Sequence, residues 1–299
     1  MIKYEIINLS EHINTKPLVA AIGNFNGFHI GHQELLKKVN QLSGNNNQTA
    51  VITFKHQTQN NQILSLEDEC AFLKQFNISL LIIIDFNDEL RTTSATNFIS
   101  FLINTLKVKD LIVGEDFTFG FNKSGNIYTL QCSPINTIVI PIKKIDDIKV
   151  STTDIIRHLK EGNIETSNKL LGYQYGITGL VQKGLQNGHK IGFPTVNLKF
   201  NNYVKIKDGV YATLVIFDNK KYLGMGYVGV HKTIDELASP LLEVNIFDFN
   251  ENIYNKEIKV LFLSRVADSY KFSSLDVLKS HLEQYKQEIT TKFQDYLHN

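Results

Sequence analysis

Short apolar runs alternate with amphipathic segments along the first half of the chain. The runs that predict buried strands are PLVAAIG (17–23), TAVITF (49–54), SLLIIID (79–85), DLIVG (110–114) and NTIVIPI (136–142). Apolar residues recur at helical spacing in HQELLKKVNQL (32–42), ATNFISFLINTL (95–106) and STTDIIRHLKEG (151–162). Strands that alternate with helices predict crossover connections and a parallel sheet, which is an α/β arrangement.

The pattern changes after about residue 172. Short runs rich in Val, Ile, Tyr and Phe then follow at regular spacing: KIGFPTVNLKF, GVYATLVIF, KYLGMGYVGV, LLEVNIFDF and EIKVLFLSRV. Such runs, separated by Gly, Asn and Asp, are typical of a small antiparallel barrel or sandwich. Helical spacing returns from Ser274 to about Leu297. The chain is therefore predicted to be α/β plus all-β, with domains at 1–172 and 176–299 and a C-terminal helix.

Composition limits the partners that the chain can have. Its 299 residues suffice for two cores, and 31 basic against 30 acidic side chains leave a net charge of +1. Net electrostatics therefore predict no nucleic-acid or membrane partner, and an anionic ligand must be held by a local site. Two cysteines and an N-terminus without a signal pattern predict a cytoplasmic protein. A homo-oligomer stays open, and the charges of IKKIDDIK (142–149) are expected to form a solvated face.

The stretch GNFNGFHIGH (23–32) joins a predicted strand to a predicted helix. Free backbone N–H groups and the helix dipole favour an anion there, and its glycines permit close approach of a ligand. His29 and His32 are three residues apart and can face one pocket, where an imidazole that donates a hydrogen bond or carries a proton stabilises a phosphate oxygen. A structural role for both histidines remains open. A metal pair is less favoured because no further ligands stand at recognisable spacing, and no Walker loop is present.

A second motif, IGFPTVNL (191–198), lies in the β-rich half. Thr195 and Asn197 are two residues apart, so an extended chain points both side chains to one side. Hydroxyl and amide oxygens are ligands that suit Mg²⁺ carrying ATP phosphates. The alternative is an ordinary turn between two strands.

Several motifs in order along the chain resemble one family. GNFNGFHIGH is similar to the G-x-F-D-G-x-H-x-G-H signature of nucleotidylyltransferases, and GEDFTFG (114–120) and VSTTDIIR (150–157) resemble segments of bacterial FMN adenylyltransferases. IGFPTVNL, DGVYAT (208–213) and LEVNIFDF (242–249) resemble the G-F-P-T-A-N, G-V-Y-A and E-V-H-L-L-D-F segments of riboflavin kinases. Over almost its whole length the chain thus resembles the bifunctional riboflavin kinase/FMN adenylyltransferases, the bacterial FAD synthetases.

The resemblance implies a Rossmann-like nucleotidylyltransferase domain followed by a small riboflavin-kinase β-barrel. It implies that riboflavin is phosphorylated to FMN with Mg²⁺ and ATP, and that FMN is adenylylated to FAD. Glu243 would be the base, with His29 and His32 as the other catalytic residues, while Thr195 and Asn197 would hold the metal. ATP phosphates would be bound by Gly23, Asn24, Phe25, Gly31, Thr152, Thr153, Arg157, Gly192, Thr195 and Asn197, and flavin by Asp116, Phe117, Phe119 and Tyr211.

The chain departs from the family pattern at several positions. Asn26 replaces an Asp, and TFKHQTQ (53–59) lacks the usual His-Pro, with His56 as the candidate counterpart. Ile156 stands where the family has Arg. Arg157 is one residue further along, so on a helix its side chain points about 100° away from the position of the family's Arg. HKT (231–233) replaces R-P-T, and Ala267 and Ser269 replace Arg and Glu. Two alternatives follow: a riboflavin kinase with a degenerate first domain, and a non-catalytic flavin-binding protein.

Overall fold

The computed structural model describes residues 3–9, 16–44, 47–55, 61–183, 188, 191–230, 240–270 and 272–297. These residues form two compact units. The described residues up to Thr152, except 61–65, form the first unit, and residues 61–65 with those from Thr153 onward form the second. His56 and the HKT segment (231–233) lie outside the described residues.

The first unit carries the alternating elements. In chain order they are β1 (Lys3–Ile7), β2 (Leu18–Ile22), α1 (Ile30–Leu42), β3 (Gln48–Phe54), α2 (Leu66–Gln75), β4 (Leu80–Ile84), α3 (Asp88–Thr92), α4 (Ala95–Ser100), a π-helical turn (Phe101–Thr105), β5 (Val108–Gly114), a 3-10 turn (Phe121–Lys123), α5 (Ile127–Gln131), β6 (Asn136–Ile140), β7 (Lys144–Ile145) and β8 (Ile148–Lys149).

The main sheet of the first unit is parallel, as the sequence predicts. Six strands of the described chain pair in the order β1-β4-β3-β2-β5-β6, and each neighbouring pair is parallel. Every residue of β2 and β4 is buried, which explains why both strands are continuous apolar runs. The pattern did not reveal β1, which adds an edge beside β4. Strands β7 and β8 form a separate small hairpin.

The second unit carries the β-rich part of the chain. Its elements are α6 (Thr152–Glu161), α7 (Ile164–Leu171), β9 (Gly176–Leu180), β10 (Val196–Lys199), β11 (Gly209–Phe217), β12 (Lys220–Val230), β13 (Pro240–Ile246), β14 (Glu257–Asp268), α8 (Leu275–Phe293) and a 3-10 turn (Gln294–Leu297). Helix α6 begins at Thr152, which is the last residue of the first unit, and its other residues belong to the second.

Antiparallel strands form a nearly closed barrel in the second unit. Within the described residues the order is β10-β13-β12-β11-β14-β9, and the N–H of Gln182, just after β9, donates to the Asn197 carbonyl on β10 at 2.8 Å. The barrel alternative is thereby confirmed over the sandwich. Helix α8 begins at the Ser274 cap, as predicted, and packs Tyr285 and Ile289 into an apolar cluster on one face of the sheet. Its amphipathic pattern follows from this one-sided burial.

Candidate active sites

A cavity of about 670 Å³ lies in the first unit, at the carboxyl ends of β2 and β5. These strands are parallel neighbours, so the loops that follow Ile22 and Gly114 leave the sheet at the same edge. We call this the first cavity. Of the predicted site residues, its lining includes Gly23, Asn24, Phe25, His29, Gly31, His32, Asp116, Phe117, Phe119 and Thr152. The histidine turn and the GEDFTFG segment are thus brought together.

His29 caps helix α1 with its side chain. Its Nδ1 accepts a hydrogen bond from the His32 N–H at 3.2 Å, and the two rings stack with their centroids 3.6 Å apart. Because Nδ1 is an acceptor, a neutral His29 carries its proton on Nε2. A helix cap of this kind satisfies one of the free N–H groups of the first turn.

Both imidazoles are neutral at neutral pH. Burial lowers the pKa of His29 from 6.5 to about 4, and burial together with the nearby His29 lowers the pKa of His32 as well. The Nδ1 atom of His32 is buried and makes no hydrogen bond within the described residues. Of the two modes that the sequence left open, the geometry favours a hydrogen bond donated by a neutral ring over a charged one.

Part of the predicted triphosphate segment lies beside the histidine turn. The hydroxyl of Thr152 donates to the Asn26 carbonyl at 3.2 Å, and Thr152 lines the first cavity. Thr153 and Arg157 belong to the second unit. There the Arg157 guanidinium is half exposed and lies 3.2 Å from Glu161 and 3.4 Å from Asp154. Its donors are therefore directed to carboxylates of its own helix.

Four basic side chains that the sequence interpretation missed also line the first cavity: Arg91, Lys123, Lys143 and Lys149. Lys143 and Lys149 belong to the IKKIDDIK segment, which was expected to be only a solvated face. Lys149 lies 3.0 Å from Asp116, the carboxylate of the predicted flavin segment. Lys143 and Lys149 are exposed, but the β7–β8 hairpin brings them to the lining of the first cavity. No local pattern in the sequence indicates such a turn toward a cavity.

Part of the first cavity has an aromatic lining. The rings of Phe117 and Phe119 stack with centroids 5.7 Å apart, and Phe119 also packs against Phe98 at 5.5 Å. Phe119 exchanges two backbone hydrogen bonds with Gly125, where a side-chain Cβ would come within 2.6 Å of the Phe119 ring. Glycine at 125 is thus needed for the position of this ring. A flat aromatic ligand fits such a wall.

A second cavity, of about 350 Å³, lies between the barrel and α8. Cross-strand register places Asn197 and Tyr227 directly opposite Glu243, and of these three Tyr227 and Glu243 line the cavity whereas Asn197 is not among its lining residues. The hydroxyl of Thr195 lies 3.4 Å from the Glu243 carboxylate, and the Asn245 amide donates to the Pro194 carbonyl at 2.7 Å. The remaining lining is mostly apolar and aromatic, including Val210, Met225, Tyr270, Phe272, Leu278, Leu282 and Tyr285.

Tyr211 and Gly192 are not among the residues that line the second cavity. Tyr211 is fully buried on the other face of the sheet, with its hydroxyl donated to the Lys207 carbonyl and its ring edge against Phe262. Side chains alternate along a strand, so the neighbouring Val210 faces the second cavity instead. The structure therefore places Tyr211, predicted to contact flavin, in the barrel core and outside the lining of the second cavity. Gly192 has a φ of +82° and no atom within 4 Å of its missing Cβ, which leaves it in open space.

The sequence interpretation also missed Tyr227. This residue lies on β12 beside Glu243, and its hydroxyl is 2.9 Å from the Ser269 hydroxyl. Ser269, where the family usually has Glu, thus fixes an aromatic wall of the second cavity.

Two negative results apply to the described part of the chain. It contains no cluster of three or more His, Cys, Asp or Glu side chains that could hold a metal ion. None of its helices has the length and apolar character that a membrane crossing requires.

Comparison with known proteins agrees with this geometry. An FAD synthetase family model matches residues 11–154, and a riboflavin kinase family model matches residues 171–293. A bifunctional riboflavin kinase/FMN adenylyltransferase from Buchnera aphidicola subsp. Schizaphis graminum is 34% identical over 287 residues, 90% of this chain and 92% of the relative. A second protein with this name, from Bacillus subtilis, is 31% identical over 296 residues, which are 92% of this chain and 92% of the relative.

A solved structure from Streptococcus pneumoniae, named as a macrolide-efflux protein, has 29% sequence identity and a TM-score of 0.88 over 97% of this chain and 99% of its own. The two family models match in order along the chain, and the two relatives match over nearly their whole length. Each unit also contains a cavity. The chain belongs to the family of bifunctional riboflavin kinase/FMN adenylyltransferases.

Proposed function

We propose that this protein phosphorylates riboflavin to FMN with ATP and then adenylylates FMN to FAD, releasing pyrophosphate. The observation that carries the proposal is that each unit holds its own cavity, lined by signature residues of one of the two activities. Its substrates would be small molecules, flavins and ATP, with no nucleic acid and no membrane as partner. A near-neutral composition and only two cysteines support a cytoplasmic enzyme.

The first unit would act as a Rossmann-like nucleotidylyltransferase. A phosphate oxygen of FMN attacks the α-phosphorus of ATP in line, the bond to the bridging oxygen breaks, and pyrophosphate leaves with the electron pair. No covalent protein intermediate is needed, so the protein has to position and stabilise charge. The neutral His29 offers its Nε2–H to a phosphate oxygen, and the Phe117–Phe119 wall suits the isoalloxazine ring.

The second unit would phosphorylate the primary 5′-hydroxyl of riboflavin. Glu243 would accept the hydroxyl proton as the oxygen attacks the γ-phosphorus of ATP, the bond from that phosphorus to the bridging oxygen breaks, and ADP leaves with the electron pair. The Thr195 hydroxyl lies 3.4 Å from this carboxylate, and Asn197 is the residue directly opposite Glu243 on the neighbouring strand. Carboxylate, hydroxyl and amide oxygens are the kind of donors that Mg²⁺ takes. Bound there, Mg²⁺ would neutralise phosphate charge. The apolar wall under α8 would exclude water from the flavin ring.

The adenylyltransferase domain that we propose spans residues 1–172 and the kinase domain 176–299. The family matches at 11–154 and 171–293 support one activity in each half, and they leave most of α6 and α7 outside both.

The test is to incubate the purified protein with riboflavin, Mg²⁺ and ATP and to separate the flavins by chromatography. We expect FMN to appear first and FAD to follow. FMN without FAD, even when FMN is supplied directly, would mean that only the kinase works. Flavin that stays bound to the protein without ATP turnover would mean a flavin-binding protein and would overturn the proposal.

A further inference from the structure

Departure of pyrophosphate from ATP needs positive charge in the first cavity. The two histidines do not supply it, because burial keeps both rings neutral. The family motif would supply an arginine, but this chain has Ile156 at that position. The displaced Arg157 lies close to Asp154 and Glu161 of its own helix. Any side-chain charge that adds to the Mg²⁺ accompanying ATP must therefore come from another residue.

The basic residues that line the first cavity differ in the ion pairs that they form. Lys149 lies 3.0 Å from Asp116, and Arg91 lies 2.7 Å from Asp88. Lys123 belongs to the 3-10 turn that follows the aromatic segment containing Phe119. Lys123 and Lys143 both line the cavity and form no ion pair with any residue that the structure describes, so their positions distinguish them.

Lys143 lies close to the start of helix α1, where a phosphate can bind. Its Cβ is 3.8 Å from the point that a Cβ on Gly31 would occupy, so the side chain starts beside the first turn of α1. The N-terminus of a helix attracts anions through its backbone N–H groups. The Lys143 carbonyl also accepts a 3.0 Å hydrogen bond from the N–H of the buried Val150, which fixes the root of the β7–β8 hairpin.

We infer that Lys143 binds the β- and γ-phosphates of ATP and stabilises the pyrophosphate that leaves, in place of the arginine that the motif lacks. Its ammonium group would donate hydrogen bonds to phosphate oxygens, and the transfer of the adenylyl group needs no proton from it. A lysine can do this because its flexible stem carries a compact charge to the phosphates. The inference rests on the proposed FMN adenylyltransferase activity of the first unit.

The test compares Lys143→Met with Lys144→Met, whose position is next along the chain and not among the residues that line the first cavity. With FMN and ATP as substrates, we expect Lys143→Met to lower kcat/KM for ATP roughly 10- to 100-fold, because a charge on the leaving group is lost. The KM for FMN should change little, and Lys143→Arg should recover part of the loss. Riboflavin phosphorylation by the same samples should match the wild type, which shows that the second unit is folded, and the nearly unchanged KM for FMN shows the same of the first unit.

Binding of inorganic pyrophosphate, measured by calorimetry on the full chain, gives a second readout that needs no turnover. We expect Lys143→Met to weaken this binding and Lys144→Met to leave it unchanged. Wild-type kinetics and wild-type pyrophosphate affinity in Lys143→Met, or equal losses in both variants, would overturn the inference. Absence of FAD from the wild type itself would count against the proposed function, and the pyrophosphate titration would still decide the role of Lys143.

Discussion

At the scale of single residues, the helix cap formed by His29 is compatible with the chemical role that we propose for it. One ring nitrogen caps α1 by accepting the His32 N–H, which leaves the other nitrogen with the proton. Serine, threonine, aspartate or asparagine cap helices more commonly, but none of them would retain an N–H donor on a rigid ring for a phosphate. The same contact therefore orders the helix start and selects the tautomer.

Burial of neutral His29 predicts a pH dependence of stability. Its pKa is 6.5 in an unfolded chain and about 4 in the folded one, so below pH 6.5 the unfolded chain takes up a proton that the folded chain refuses. The free energy of unfolding should therefore fall as the pH decreases from 6.5 toward 4. Between about pH 7.5 and about pH 5, this residue alone should cost about 2 kcal/mol.

The measurement is urea denaturation, followed by circular dichroism, of the wild type and His29→Asn at both pH values. Asparagine can still cap α1 but does not titrate. The variant should lose less stability than the wild type on acidification. An equal loss in both proteins would show that His29 is not held neutral by the fold.

At the scale of elements, the register of three strands assembles the second site. Strands β10 and β12 flank β13 and place Asn197 and Tyr227 on either side of Glu243. The Pro194–Thr195 segment precedes β10, and the Asn245 amide of β13 holds it through the Pro194 carbonyl. The strand of the proposed base and the segment proposed to bind phosphate are thus joined by a partly buried hydrogen bond.

Removal of this hydrogen bond should loosen the Thr195 segment. Asn245→Ala leaves a carbonyl without its partner, at a cost of about 1–3 kcal/mol in the free energy of unfolding. We expect kcat for riboflavin phosphorylation to fall roughly 10-fold, because misplacement of a positioning group is costly, while FAD formation from FMN stays unchanged. Asn252→Ala, in an exposed turn where Asn252 accepts from the Tyr254 N–H, is the matched control. Wild-type kinase rates in Asn245→Ala would contradict the role.

Strands were predictable from the sequence where their burial produces a continuous run of apolar residues. Strands β2 and β4 are buried throughout and appear as unbroken apolar runs, whereas the edge strand β1 was not recognised. The motifs located Glu243 and the histidine turn. They did not indicate that Tyr211 faces the barrel core or that Lys143 turns toward a cavity, because strand face and hairpin direction depend on contacts distant in sequence.

At the scale of the whole molecule, each proposed activity uses residues of one unit. The first cavity is lined by residues between Ile22 and Thr152, and the second by residues between Gly188 and Tyr285. FMN is the product of one site and the substrate of the other. The two activities should therefore be separable by substitution and should communicate through FMN in solution.

Glu243→Gln should lower riboflavin phosphorylation about 100- to 10,000-fold, because the amide cannot accept the proton, yet it should still convert FMN to FAD. His29→Asn should still form FMN and should make FAD slowly, because the Nε2–H donor is lost. With riboflavin and ATP, neither variant alone should accumulate FAD at the wild-type rate. A mixture of the two variants should accumulate FAD faster than either variant alone but more slowly than the wild type, because FMN released by His29→Asn reaches the intact first site of Glu243→Gln. Chromatography of the flavins over time measures this recovery. FAD formation by the mixture that is no faster than by His29→Asn alone would mean that both sites must act within one chain.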